Sequence, residues 1–321
     1  MAIFEITMLF LGSIIGAGFA TGAEIVTFFN KWQIPIWLIA VIVGACIYLL
    51  ITLDILLFYP KPTFNIKTKS LNNKPLHIVI IMIYLILFTA MTAGIAQITN
   101  SIICSISLVF SATITLLGIQ KLSRFNIVIV ATIIILIIST AVPYAKPITP
   151  TPNWQHITPV TFWAILYAGL NCFMFPELIK AYSKTQKRKT LLTAGFITAT
   201  LVAILFYLIF TTLKSKNATT AMIPLLTAVP TTTTFIIILL AVLTSQYTAL
   251  FAIVERLNII NPKTKNRPLV TAVCLCLIAF LGSFSGFTRI IQYGYPLIGA
   301  FTCFYLLFSF LQQSWQVSRR K

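Results

Sequence analysis

The sequence predicts an all-α integral membrane protein with ten transmembrane helices, and three observations carry this. Apolar residues make up 59% of the 321-residue chain and charged residues only 9%, where a soluble domain carries roughly 25% charge. Apolar runs long enough to cross a hydrocarbon core of about 30 Å recur from end to end, with a mean hydropathy of +0.98. The basic residues gather in short clusters between these runs. The net charge of +18 is therefore read as topology signalling against a lipid bilayer, and no nucleic-acid partner is expected.

The first run, Ile3–Phe29, lacks a basic n-region and is long enough to cross, so it is read as span 1 rather than a signal peptide. Span 2, about 34–58, ends at Lys61, Lys67, Lys69 and Lys74. Spans 3 (about 77–99) and 4 (about 102–118) lead to Lys121 and Arg124. Span 5, about 125–143, runs into a stiff linker over 143–159 that holds Pro143, Pro147, Pro150, Pro152 and Pro159. Span 6, about 159–180, precedes Lys180, Lys184, Lys187, Arg188 and Lys189. Spans 7 (about 190–213) and 8 (about 232–256) lead to Arg256, Lys263, Lys265 and Arg267. Spans 9 (about 268–286) and 10 (about 289–312) lead to a tail ending in Arg319, Arg320 and Lys321.

With this count, 18 of the 23 Lys and Arg residues fall on the side of the termini, and Lys31, Lys146, Lys214, Lys216 and Arg289 on the other. Merging spans 3 and 4 destroys that bias, which is why the short span 4 is kept. The positive-inside rule then makes both termini cytoplasmic and the protein a multi-pass resident of a cytoplasmic membrane. The chain reads as one transmembrane domain, with one half over about 1–144, a second over about 157–313 and a tail over 313–321. Cys46, Cys104, Cys172, Cys274, Cys276 and Cys303 all fall in apolar runs and are read as buried small hydrophobes, neither disulfides nor metal ligands.

Two spans are predicted to be discontinuous. Gly12, Gly16, Gly18 and Gly22 fall within eleven residues of span 1, and each weakens a helix by about 1 kcal/mol relative to Ala. Close packing through Gly12 and Gly16 is one reading. The glycines, however, fall on several faces, which favours a break. Span 6 carries Asn171 deep in an apolar run, and Pro176, which removes a backbone donor and frees a carbonyl one turn upstream. Spans 1 and 6 each open one half. Interrupted helices at matching places in two halves point to a binding site near the midplane, and five spans per half give the halves opposite orientation.

The stretch Gly12-Ser13-Ile14-Ile15-Gly16-Ala17-Gly18 resembles the first helix of the LeuT-like fold, shared by amino acid–polyamine–organocation transporters and neurotransmitter:sodium symporters. The longer run Gly16 to Ile25, with Tyr295-Pro296-Leu297-Ile298-Gly299, is similar to the YkvI-like bacterial membrane proteins. The resemblance implies a 5+5 inverted repeat and a secondary transporter of a small amino-acid-like solute, working by alternating access. Ala241-Val242-Leu243-Thr244-Ser245 resembles the A-x-x-T-S pattern that sodium symporters of this fold place beside span 1. By that resemblance, carbonyls of Gly12, Ile15 and Ala241 and hydroxyls of Thr244 and Ser245 hold a sodium ion. Alternatively, the two hydroxyls bond back to their own helix. The N–H groups of Ala17 and Gly18 are then expected to hold a solute carboxylate, with Tyr167, Gly169 and Asn171 facing the rest. A stripe of Thr89, Thr92, Ala93, Ala96, Gln97 and Asn100 on span 3 either lines the cavity or forms a packing seam.

The chain has five acids. Glu5, Asp54, Glu177 and Glu255 fall near span ends and read as interfacial groups or loose ion pairs. Glu24 lies in the outer half of span 1, where it is expected to form a gate pair with Arg289, as the resemblance implies, or alternatively to carry a coupling proton. An enzyme is not expected: no H-E-x-x-H pattern occurs, no span holds an acid pair, and His77 and His156 fall at loop edges. A sensor or scaffold that keeps the fold without transport is the alternative reading. The oligomeric state is left open.

Overall fold

A computed structural model of the chain describes residues 2–59, 74–99, 101–146, 153–220, 223–284 and 286–318. Among these residues every regular element is helical. Six helices are long and apolar enough to cross a membrane: α4 (Ile36–Phe58), α5 (Lys74–Ile98), α7 (Ile119–Ala141), α10 (Arg188–Ser215), α12 (Thr232–Ile260) and the run from Phe287 to Gln312. A seventh candidate is the pair α8 (Ile157–Cys172) and α9 (Phe175–Ser183), bent by 51° at its break. The apolar helices α1 (Ala2–Ile14), α6 (Ser101–Leu116) and α13 (Pro268–Ser283) are shorter. Between them lie α2 (Ala17–Thr21), α3 (Ala23–Phe29) and α11 (Pro224–Ala228). The last run consists of α14 (Phe287–Arg289), a π segment (Ile290–Gly294) and α15 (Tyr295–Ser318).

The central helix is α12. In its most apolar stretch 78% of residues are buried, against 28% for α7, and it packs on α1, α5, α6 and α7. Its polar run explains why it belongs inside, because a buried polar group without a partner is costly in an apolar medium. Gln246 donates to Thr92 Oγ1 at 3.1 Å and accepts from Ser111 at 3.0 Å. The Tyr247 hydroxyl meets Asn126 Oδ1, and its carbonyl accepts from Thr115 at 3.1 Å. One residue after another thus ties α12 to a different neighbour. The outside is studded with exposed apolar side chains such as Val109, Val128, Leu281 and Phe304, which a bilayer covers.

The cysteines correct one expectation. All six are free, but only Cys104 and Cys172 are buried, and Cys274 is exposed. A thiol in an apolar run on a lipid-facing helix needs no protein cover. The linker is seen only at its edges, as single 3₁₀ turns at Val142–Tyr144 and Trp154–His156. Pro147, Pro150 and Pro152 lie outside the described residues, as do Asn100, Lys61, Lys67, Lys69 and the terminal Arg319, Arg320 and Lys321.

Candidate functional site at two helix breaks

The first run breaks where its glycines cluster. α1 stops at Ile14, and Gly16 takes an extended conformation with φ −98° and ψ −170°. In an unbroken helix the Gly16 N–H would bond to the Gly12 carbonyl; here it turns to Ile14 O at 2.8 Å. Gly12 O is thereby freed, and Ser245 donates to it at 3.2 Å. Thr244 donates to Ala241 O at 2.8 Å and reaches Ile15 O at 3.4 Å. The five residues expected around a cation are therefore together; Thr244 bonds within its own helix and also reaches across to the break, whereas the Ser245 hydroxyl bonds across to it. Five neutral oxygens suit a hard cation of low charge. Among the described residues, no group of three or more His, Cys, Asp or Glu side chains gathers for a metal ion.

The second break follows Cys172. Pro176 has no N–H to give the Cys172 carbonyl four residues earlier, so the chain turns and α9 leaves at 51°. Tyr84 from α5 donates to Phe173 O at 3.2 Å, and Asn171 Nδ2 donates to Tyr167 O at 2.9 Å. Both exposed carbonyl regions thus find donors inside the protein.

The two breaks face each other across a small cavity of about 20 Å³. Ser13, Ile14 and Gly16 line it from the first break, Leu170, Asn171 and Met174 from the second, Leu87 and Met91 from α5, with Glu24 and Tyr295 closing it. Tyr295 is positioned by the π segment. Pro296 cannot donate to the carbonyl of Gln292, and Tyr295 N–H instead bonds five residues back to Ile290 O. A larger cavity of about 840 Å³ opens between α5, α6 and α13–α14, lined by Ala93, Ala96, Gln97, Phe287 and Arg289 among others. The buried Phe287 lines the larger cavity and packs near Gly94, which also lies against Ala17 just past the first break. The stripe on α5 accordingly divides: Ala93, Ala96 and Gln97 line a cavity, while Thr92 bonds to α12 and Thr89 packs on Gly282.

Several expected site residues sit elsewhere. Gly169 does not face the cavity; it packs on the Gly299 carbonyl where α8 and α15 cross, because only two glycines let the backbones come so close. Tyr167 is buried in an aromatic cluster with Phe28, Phe29 and Phe206 at ring distances of 5.4, 5.5 and 6.1 Å. The Ala17 N–H is already taken, by Met91 Sδ at 3.3 Å. Glu24 and Arg289 do not pair: Glu24 is buried, Arg289 is exposed at the larger cavity, and no cation among the described residues lies in ion-pair reach of Glu24. The Glu24 side chain instead folds back onto Gly18, whose missing side chain makes the room.

Sequence reasoning missed a buried charged cluster at the end of the molecule that carries the Lys184–Lys189 cluster. Glu177 on α9 pairs with Arg256 on α12, and Lys180 lies 3.6 Å from the same carboxylate. Arg256 also meets His77 Nδ1 at 3.1 Å. Glu177 is buried and not interfacial, His77 is buried although it stands in the first turn of α5, and Asp54 is fully buried with both carboxyl oxygens lacking a hydrogen-bond partner. The Glu177–Arg256 pair ties the bent α9 to the central α12, while the larger cavity lies near the opposite end of α5 from His77. Compared with known proteins, the sequence matches no family model and no curated protein.

Proposed function

We propose that the protein is a cation-coupled secondary transporter of a small amino-acid-like solute. The reading takes ten membrane crossings in a 5+5 inverted repeat of the LeuT-like kind, with both termini cytoplasmic in a bacterial cytoplasmic membrane. α1 to α3 together form the first crossing and the shorter α6 and α13 are crossings too. The observation that carries it is the meeting of two interrupted helices at one internal cavity. Unwound backbone inside a membrane is tolerated only where it lines a cavity or is covered by protein, and carriers place solute and ion sites at such points.

In this reading Gly12, Ile15, Ala241, Thr244 and Ser245 bind sodium. The weak 3.4 Å approach of Thr244 to Ile15 O is a contact that a cation replaces at little cost, since the hydroxyl hydrogen rotates away and its oxygen turns inward. The clamp at Glu177–Arg256 holds the cytoplasmic side shut, the larger cavity is the outer approach, and Phe287 is the inner wall of that approach. Alternating access then requires the clamp to part as the outer side closes.

Two measurements test the proposal. Purified protein gains thermal stability in sodium over potassium, by about 2.7 kcal/mol at a concentration one hundred times the dissociation constant. The Thr244→Val and Ser245→Ala variants lose that gain without unfolding. Proteoliposomes show solute counterflow driven by a sodium gradient. A sodium response that survives in both variants removes the assigned ion site, and an absence of counterflow for every solute tried removes the carrier reading in favour of a sensor.

A further inference from the structure

The carrier reading leaves open what part of the solute the cavity recognises, and the inference drawn here rests on that reading. The sequence implied that bare N–H groups of the first break hold a solute carboxylate. The structure fills that place differently. The Ala17 N–H is given to the Met91 sulfur. The Glu24 carboxyl lies against the Gly18 α-carbon, so closely that a methyl group there would overlap it. A carboxyl group supplied by the protein therefore occupies the ground beside the break.

That carboxyl group is incompletely partnered. Glu24 is 3% exposed, its Oε2 has no hydrogen-bond partner, and the same is true of the Tyr295 hydroxyl in the wall of the same cavity. Among the described residues, no Lys, Arg or His lines this space. An ionised carboxylate held away from water without a counter-charge is expensive, and a second carboxylate brought in by a solute makes it worse. A cationic group has the opposite effect. A primary ammonium brings three N–H donors and a positive charge to a site with a vacant carboxylate oxygen and a vacant phenol oxygen. Its head is about the size of a water molecule, which the 20 Å³ cavity just admits. The carbon skeleton must then displace Met91 and Met174, flexible thioether side chains that yield readily and are favourable neighbours for an alkyl chain.

We propose that Glu24 is the anchor for the ammonium group of the solute, so that the cargo is recognised as a small primary amine in its cationic form and needs no carboxylate. Gly18 is the positioning residue that gives the Glu24 carboxyl its place, and Tyr295 supplies the second acceptor.

The test uses the full chain in lipid nanodiscs and three matched series of probes: α-amino acids, the primary amines left by removing their carboxylate, and the carboxylic acids left by removing their amine. Thermal shift is read for each at fixed sodium. The amines are expected to raise the midpoint at least as much as their parent amino acids, and the acids to leave it unchanged. Glu24→Gln keeps the size of the side chain and removes the charge; it is expected to weaken amine binding at least about tenfold, the loss of one charge-assisted hydrogen bond, while the sodium shift is retained as proof of folding. Gly18→Ala, which pushes the carboxyl aside without removing it, is expected to weaken amine binding as well. Stabilisation by acids but not amines overturns the proposal and leaves the carrier standing. Equal amine binding by Glu24→Gln and by the natural chain also overturns it. No response to any series, together with no sodium response, takes the carrier reading down as well.

Discussion

The Glu177–Arg256 pair offers a quantitative test of how the basic end is held. Their side chains are 3% and 2% exposed, so the exposed-pair value of about 0–1 kcal/mol does not apply. Removing one partner of a buried pair costs about 3–5 kcal/mol, because the survivor is left charged and unpaired. The two single variants are not equivalent. Arg256→Gln leaves Glu177 with Lys180, 3.6 Å away and partly exposed, and belongs near the lower value, about 3 kcal/mol. Glu177→Gln leaves Arg256 buried beside His77 without an acid from α9 and belongs near the upper value, about 5 kcal/mol. The double variant carries two amides and no buried charge from this pair, so it recovers about 2 kcal/mol or more of the summed loss. Denaturant unfolding of the detergent-solubilised protein measures all four corners of the cycle. Single losses below about 1 kcal/mol, or strictly additive ones, refute the claim that this pair is a buried clamp.

Three further outcomes follow from contacts described above. Gly299→Ala places a methyl group on the Leu166 backbone carbonyl, which cannot move aside, and is expected to lower stability by about 1–3 kcal/mol or more; Gly294→Ala, whose nearest neighbour would be 3.5 Å away, is the tolerated control in the same unfolding assay. Asp54→Leu replaces a fully buried carboxyl that has no hydrogen-bond partner with an apolar side chain of similar size and is expected to raise stability by about 1 kcal/mol or more; a loss in that assay means that the carboxyl is used. Phe287→Ala joins the larger cavity to the space beside Ala17, and is expected to speed labelling of a cysteine introduced at Ala17 by a thiol reagent added from outside, whereas an unchanged rate shows that this ring is not the barrier.

Much of the helical layout was legible because it depends on local chemistry. Four glycines in a short stretch predict that the first helix fails, and it fails between Ile14 and Ala17. Pro176 predicts a freed carbonyl one turn upstream, and the second break falls there. The grouping of Gly12 and Ile15 with Thr244 and Ser245 came from a resemblance, since residues 229 and 233 positions apart share no local signal. What was not legible was which of two uses a small residue serves. Gly18 and Gly169 look alike in sequence. One makes room for a side chain six residues later in its own run, and the other lets two backbones cross.

Glu177 and Asp54 were misjudged for a physical reason that applies beyond this chain. Apolar runs were taken to mark the limits of the spans, so a charge at the end of a run was placed at the membrane surface. The helices outlast the runs. α12 continues to Ile260 and α5 begins at Lys74, which sets Arg256 and His77 about one turn inside their helix ends. The kink after Cys172 swings Glu177 inward toward them. Three groups that each look peripheral along the sequence thus meet in the interior, and their mutual charge and hydrogen bonding offset the loss of water. Glu24 follows the opposite course. It lies close to a break, yet among the described residues no cation pairs with it. Glu177 is paired with a cation of the fold's own, whereas Glu24 is enclosed beside a cavity whose wall also holds the unpartnered Tyr295 hydroxyl, and on that difference the proposals above give Glu177 to the clamp and Glu24 to the cargo.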